Sequence, residues 1–214
     1  MEGYKTISEI SSAETEVKHS RFIATVCPCK TEREATEFVA SMRKKYWDAR
    51  HNVYAFSIRE NSTKRFSDDG EPHSTAGLPV MEVINHSGIT DIAVVVTRYF
   101  GGILLGTGGL VRAYQAAVKA GLEAATVVEK CEGVKLTLGT DYNGIGKIQY
   151  IIGNAGVHTL DTRYAENVEV DVVVPLEDEK SFVDKITEAT AARTQIDNLG
   201  NVQYIIIDGK CQVT

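Results

Sequence analysis

Thirteen consecutive residues, Thr97-Arg98-Tyr99-Phe100-Gly101-Gly102-Ile103-Leu104-Leu105-Gly106-Thr107-Gly108-Gly109, hold five glycines between an apolar strand pattern and a helical one. Free backbone N–H groups at a helix start attract anions, and glycine lets a ligand approach the backbone closely. Arg98 before the loop and Arg112, placed in the first helical turn, add positive charge. The same glycines also serve tight turns and close packing alone. Gly101 and Gly106 have P-loop spacing, but Thr107 stands where the motif needs lysine, so that motif is excluded. Gly106 and Gly108 begin a dinucleotide fingerprint, but Val111 occupies its third glycine position.

A second cluster is Arg65-Phe66-Ser67-Asp68-Asp69-Gly70-Glu71-Pro72-His73-Ser74-Thr75-Ala76-Gly77. Asp68, Asp69, Glu71 and His73 are residue types that hold a hard cation or move protons. The distal glutamate of an EF-hand is missing, and neither H-E-x-x-H nor a nucleophile elbow occurs. Asp-Asp-Gly is also turn chemistry, so no metal and no cofactor is expected here. Lys18, Arg21, Arg50 and His51 fall at strand edges. Together with Arg65, His73, Arg98 and Arg112 they can form one basic, partly aromatic groove for phosphate contact and base stacking. Tyr99, Gly101, Gly102, Gly106, Thr107 and Gly108 complete this candidate binding surface. The competing reading is salt bridging to Glu16, Asp48, Asp68 and Asp69, with His51 a packed or capped histidine.

The elements that must position these residues follow from periodicity. In the first half, residues 21–26, 51–58 and 92–97 read as strands, and residues 31–45 as a helix burying Ala35, Phe38, Val39 and Met42. Residues 60–76 read as a loop or distorted hairpin, 80–84 as either helical or extended, and 110–125 as a long amphipathic helix. Two helices on one face of a sheet are expected, an α+β arrangement. The second half alternates at Val134, Leu136 and Leu138, then gives an Asp141-capped helix with Ile145, Ile148 and Ile152 on one face. Strands at 158–164 and 168–174, a helix at 177–191 and a strand at 202–207 complete βαββαβ, the ferredoxin-like order. The expected boundary lies near residue 130, giving domains 1–130 and 131–214.

The 214 residues suit two small domains. Residues 1–130 hold 16 basic and 16 acidic side chains, whereas residues 131–214 hold 7 and 13, which carries the whole net charge of −6. An overall basic nucleic-acid binder is therefore excluded, and any such contact needs a local patch on the first half. Apolar runs reach strand length only, at 92–96 and 205–207, so no membrane span is expected. Met1-Glu2-Gly3-Tyr4-Lys5 lacks a secretion-signal pattern, and the cytoplasm is the expected compartment. Cys27, Cys29, Cys131 and Cys211 have no zinc spacing and read as reduced thiols.

Four segments in order, Lys18-His19-Ser20-Arg21-Phe22, Asp48-Ala49-Arg50-His51-Asn52, Phe66-Ser67-Asp68-Asp69-Gly70-Glu71-Pro72, and Arg98-Tyr99-Phe100-Gly101-Gly102 followed by Leu105-Gly106-Thr107-Gly108-Gly109-Leu110, resemble the signature of the IMPACT family in its bacterial branch. The resemblance spans most of residues 15–125. It implies a ribosomal-protein/elongation-factor-like two-layer first domain with a left-handed βαβ crossover and a ferredoxin-like second domain. That pair is similar to the last two domains of elongation factor G. It also implies translation regulation, since eukaryotic relatives bind the ribosome-associated activator of the amino-acid-stress kinase, in part through an extra N-terminal domain not expected here. The expected function is a non-catalytic binding protein that contacts RNA, the ribosome or translation factors through the first domain. One alternative is an enzyme or small-ligand protein taking a phosphorylated molecule at loop 101–109, with Asp68, Asp69, Glu71 or His73 as acid–base groups. Another is a protein-interaction module using Tyr99-Phe100 and Ile103-Leu104-Leu105.

Overall fold

Ile92-Ala93-Val94-Val95-Val96 shows no polar alternation because both of its faces are covered. The computed structural model describes residues 3–207 and 210–214. It divides into one unit of Lys5–Val128 and a second of Glu129–Thr214 with the N-terminal residues through Tyr4.

After β1 (Tyr4–Ile7), the first unit runs β2 (Ser11–Val17), β3 (Ser20–Pro28), α1 (Glu32–Lys45), β4 (His51–Ile58), β5 (Thr63–Ser67), α2 (Gly77–Ser87), β6 (Ile92–Tyr99) and α3 (Thr107–Glu123). Its sheet order is β2-β3-β6-β4-β5, antiparallel throughout, so β3 and β4 run parallel on either side of β6 and are joined through α1. Phe22, Ala24, Val53, Ala55, Val94 and Val96 pack with α2 and α3. Phe56, Ile58, Ala93 and Val95 pack with Ala35, Phe38 and Val39 of α1. The helices at 31–45 and 110–125, expected on one face, thus cover opposite faces, and the unit has three layers rather than two. The physical reason is the central strand: an apolar run without alternation needs cover on both sides.

Local chemistry fixes the helix starts. Thr31 Oγ1 accepts from Glu34 N–H at 3.2 Å while Glu34 Oε2 accepts from Lys30 N–H at 2.7 Å, a reciprocal cap. Residues 77–87 are helical because Asp68, far back in the chain, caps them: its carboxylate accepts from Ser74, Ala76 and Gly77 N–H at 2.9, 3.1 and 2.8 Å. The polar stretch 60–76 contains β5, a hairpin partner of β4. Sequence periodicity does not reveal β2, an edge strand whose Ser11-Ser12-Ala13-Glu14-Thr15-Glu16-Val17 carries little apolar character.

The second unit runs β7 (Val127–Thr140), α4 (Ile145–Asn154), β8 (His158–Tyr164), β9 (Val168–Pro175), α5 (Glu179–Ala189), β10 (Gln195–Ile207) and β11 (Lys210–Val213). The order β10-β7-β9-β8 is ferredoxin-like, with β11 added on β10. Val134, Leu136, Leu138, Val170 and Val172 meet Ile148, Ile152, Phe182 and Ile186 of the two helices. Asp141, expected as the cap of this helix, instead holds the turn ahead of α4, accepting from Asn143 and Gly144 N–H at 3.0 and 2.7 Å.

On this sheet Arg163 grips Asp171 with two bonds of 2.8 and 3.0 Å, and Thr137 Oγ1 donates to the same carboxylate at 2.8 Å. The Arg163 bonds hold the Asp171 carboxyl below its ordinary value against the opposing effect of burial, and Thr137 adds to them. A lowered carboxylate stabilises the fold above its unfolded value and loses that contribution as pH falls through the folded one. Asp171→Asn is therefore expected to cost about 1 kcal/mol at neutral pH. In denaturant titrations the gap between the two proteins should begin to close as pH falls below about 4 and keep closing as the folded value is passed, and a gap that does not narrow with falling pH would contradict the assignment.

All four cysteines are free thiols. Among the described residues, no helix is long and apolar enough to cross a membrane and no cluster of His, Cys, Asp and Glu could hold a metal ion.

Candidate functional site at one end of the first sheet

Register brings the motif residues together where β3 and β4 begin and β6 ends. Arg98 lies opposite Phe22 on one side and His51 on the other, and Tyr99 lies opposite Arg21. Beneath them is a buried charge pair: Arg98 Nη1 donates to Glu71 Oε1 at 2.6 Å, with Arg98 5% and Glu71 9% exposed. Tyr114 of α3 donates its phenol to the same oxygen at 2.8 Å, and His51 Nε2 stands 3.8 Å from it. Burial first, then the Glu71 charge, drives the Tyr114 phenol far above its ordinary value, so it stays a donor. Arg98 also lies 5.4 and 5.7 Å from the ring centroids of Phe22 and Phe100. Its Nε has no hydrogen-bond partner among the described residues.

The loop 68–77 is tied to this end by its carboxylates. Asp69 accepts from Asn52 N–H at 2.7 Å and from Arg43 Nη2 at 2.6 Å. Its carbonyl lies 2.8 Å from His51 Nδ1, and since a carbonyl can only accept, that nitrogen carries the hydrogen. Asp68 caps α2, and Glu71 is engaged by Arg98 and Tyr114. The three carboxylates read as acid–base candidates are thus each occupied, Asp68 and Asp69 by backbone N–H groups and Glu71 by the side chains of Arg98 and Tyr114. His73 is exposed, with Nδ1 2.7 Å from Ser74 Oγ.

Gly101 joins the Gly-rich loop to the β2–β3 turn. Its N–H donates to Ser20 Oγ at 3.2 Å, and Arg98 Nη2 reaches the same hydroxyl at 3.5 Å. The turn residues Lys18 and His19 both take positive φ, 48° and 63°, as a two-residue hairpin turn demands. Phe100, Ile103 and Leu104 project from the loop, Leu104 being 82% exposed. Lys18 and Arg112 flank a groove of about 300 Å³ floored by Val17, Leu105 and Ala113. α3 starts at Thr107, which puts Arg112 in its second turn. Gly106 gives no side-chain cap and the first turn, Thr107 to Gly109, carries no acid.

The remaining cations divide. Arg21 pairs bidentately with Glu14 at 2.8 and 2.9 Å, and Arg65 pairs with Glu32 at 2.8 Å on the α1 side of the sheet, away from Arg98. Tyr99 donates to Asp48 at 2.9 Å beneath the Arg21 guanidinium. Lys18, Arg50 and Arg112 are exposed and form no ion pair among the described residues. Three residues of this arrangement are not candidates by sequence: Tyr114 and Arg43 lie outside the four motif segments, and Ser20 lies within one without being a candidate there. Tyr114 left a signal, since it is a phenol on the apolar face of α3 between Leu110 and Val118 and had to find a partner.

Residues 18–122 match the Impact N-terminal domain, and residues 138–193 match a domain of unknown function, DUF1949. "IMPACT family member YvyE" of Bacillus subtilis (strain 168) is 37% identical over 206 residues, which cover 96% of this chain and 94% of that protein. The chain belongs to the IMPACT family. Another member, YigZ of Escherichia coli (strain K12), is 34% identical over 85% of this chain and 90% of its own length. "Protein IMPACT" of Bos taurus is 35% identical over 98 residues, 42% of this chain and 29% of that protein, so the similarity to it is local. A crystal structure of a hypothetical protein superposes with a TM-score of 0.60 at 33% identity, covering 92% of this chain and 97% of that one.

Proposed function

We propose that this IMPACT family member is a non-catalytic regulator that contacts RNA of the translation machinery through the end of its first sheet. The observation that carries the reading is the set of unpaired cations Lys18, Arg50 and Arg112 around the exposed apolar loop at Phe100, Ile103 and Leu104. Other arginines of the motif segments are cancelled by Glu14, Glu32 and Glu71, so among those cations these three are the ones left to meet a polyanion. The uncapped α3 start presents amides to a phosphate oxygen, and Phe100 presents a ring to a base. Engagement of Asp68 and Asp69 by backbone N–H groups and of Glu71 by Arg98 and Tyr114 supports a binding role over acid–base chemistry.

Fluorescence anisotropy with single-stranded RNA at about 50 mM and about 200 mM salt tests this. Affinity is expected to fall steeply with salt, and Arg50→Ala or Arg112→Ala each to flatten the log–log slope by about 0.7. Ribosome co-sedimentation should show the same salt sensitivity. Binding that ignores salt, or none at all, would sink the reading. A phosphorylated small molecule that perturbs loop 101–109 and leaves RNA unbound would favour the small-ligand alternative.

A further inference from the structure

The second unit contains a polar cleft of about 490 Å³ where the end of β7, the start of β10, the β8–β9 turn, the start of α4 and the end of α5 converge. It is independent of the first-sheet surface: all its lining residues lie between Thr137 and Asp197. The second unit carries the chain's whole negative excess, yet two cations, Lys147 and Arg193, line this cleft without a carboxylate partner among the described residues. Lys147 Nζ reaches the Ala189 carbonyl at 3.5 Å, which puts its ammonium at the end of α5. Arg193 follows a turn in which Ala191 and Ala192 both hold positive φ, 51° and 58°, and its N–H donates to the Thr190 carbonyl at 3.1 Å. Two consecutive left-handed residues with a Cβ are uncommon, and here they turn the chain back to the cleft wall.

The carboxylates of the lining are engaged in different ways. Asp141 holds the turn ahead of α4, and Glu169 pairs with Arg163 at 3.1 Å. Among the described residues Asp197 accepts only from the neutral amide of Gln195, at 2.9 and 3.1 Å, and keeps acceptor capacity. Asn143 and Asn167 add amides to the lining. Two cations without a carboxylate partner and the acceptors of Asp197, Asn143 and Asn167 share this lining, which fits a ligand that is anionic in one part and rich in hydroxyls in another. The volume lies within the roughly 300–1,000 Å³ of small-molecule sites, while the polar lining does not suit an apolar ligand.

We propose that this cleft binds a small sugar phosphate, its phosphate between Lys147 and Arg193 and its hydroxyls donating to Asp197 and the asparagine amides. The full chain is titrated with ribose 5-phosphate and glucose 6-phosphate while backbone amide resonances are followed, with ribose and inorganic phosphate as the separated halves. One of the two esters is expected to saturate and to shift the amides of Gly139 and Gly144. Its affinity should exceed that of inorganic phosphate by about tenfold, and Lys147→Ala and Arg193→Ala should each weaken it by about tenfold. Asp197→Asn should weaken the ester but not inorganic phosphate, a readout that general damage to the fold would not give. Failure of both esters to saturate, equal affinity for inorganic phosphate (an adventitious ion only), or affinity unchanged in both cation variants overturns the proposal. Shifts confined to loop 101–109 overturn it too, and they would bear on the first-sheet surface instead.

Discussion

Glu71→Ala is expected to destabilise the protein by about 3–5 kcal/mol, the largest effect of any single replacement at the candidate site. The argument is electrostatic. Arg98 has 7% of its side chain exposed and Glu71 has 4%, so removing the carboxylate strands a guanidinium that water cannot reach. It also removes the acceptor of the buried Tyr114 phenol. Replacing both members of the pair, Glu71→Met with Arg98→Met, should recover most of the loss, because a desolvated pair roughly balances against apolar side chains of similar volume. Urea denaturation of the two single variants and the double variant closes the cycle. A loss below about 1 kcal/mol in Glu71→Ala would mean the pair is solvated and that the loop 68–77 is held by Asp68 and Asp69 alone.

Gly101→Ala is expected to cost about 3 kcal/mol and to weaken RNA binding together with stability. A Cβ on Gly101 would fall inside contact distance of the backbone carbonyl of His19 and the nitrogen of Ser20. Backbone cannot rotate aside as a side chain does, and the Lys18–His19 turn is already in left-handed conformation at both residues. The strand end would have to part from the loop, breaking the Gly101 bond to Ser20 Oγ. Gly108→Ala is the internal comparison: only the tip of Arg112 lies within 4 Å, at 3.8 Å, and the position is helical. That change should be neutral or stabilising by up to about 1 kcal/mol. Equal thermal stability of the Gly101 variant and the parent would show that the turn and the loop are not packed as described.

Much of the fold was legible in order along the chain. The spacing of Ala35, Phe38, Val39 and Met42, with Thr31 before them, marked α1, and Val134, Leu136 and Leu138 marked β7, because burial of one face imposes the period of the element. The four motif segments were equally legible, and they do meet at one end of one sheet. Their roles were not. Asp68, Asp69 and Glu71 look alike in sequence, yet one caps a helix, one ties down a strand and one neutralises a buried arginine. Arg21, Arg65 and Arg98 were equal candidates for a basic groove, and all three are paired, with Glu14, Glu32 and Glu71.

The sequence by itself determined the long periodic elements such as α1, β6, α3 and β7, the ferredoxin-like order of the second unit and the motif segments that meet at one sheet end, since periodicity and turn chemistry act over a few neighbours. Only the tertiary structure decided that α1 and α3 take opposite faces, that Ser20 and Tyr114 join the site, and which cations remain free. Those outcomes depend on strand register and on contacts between residues tens of positions apart, and a one-dimensional pattern records that a side chain is buried but not what it is buried against.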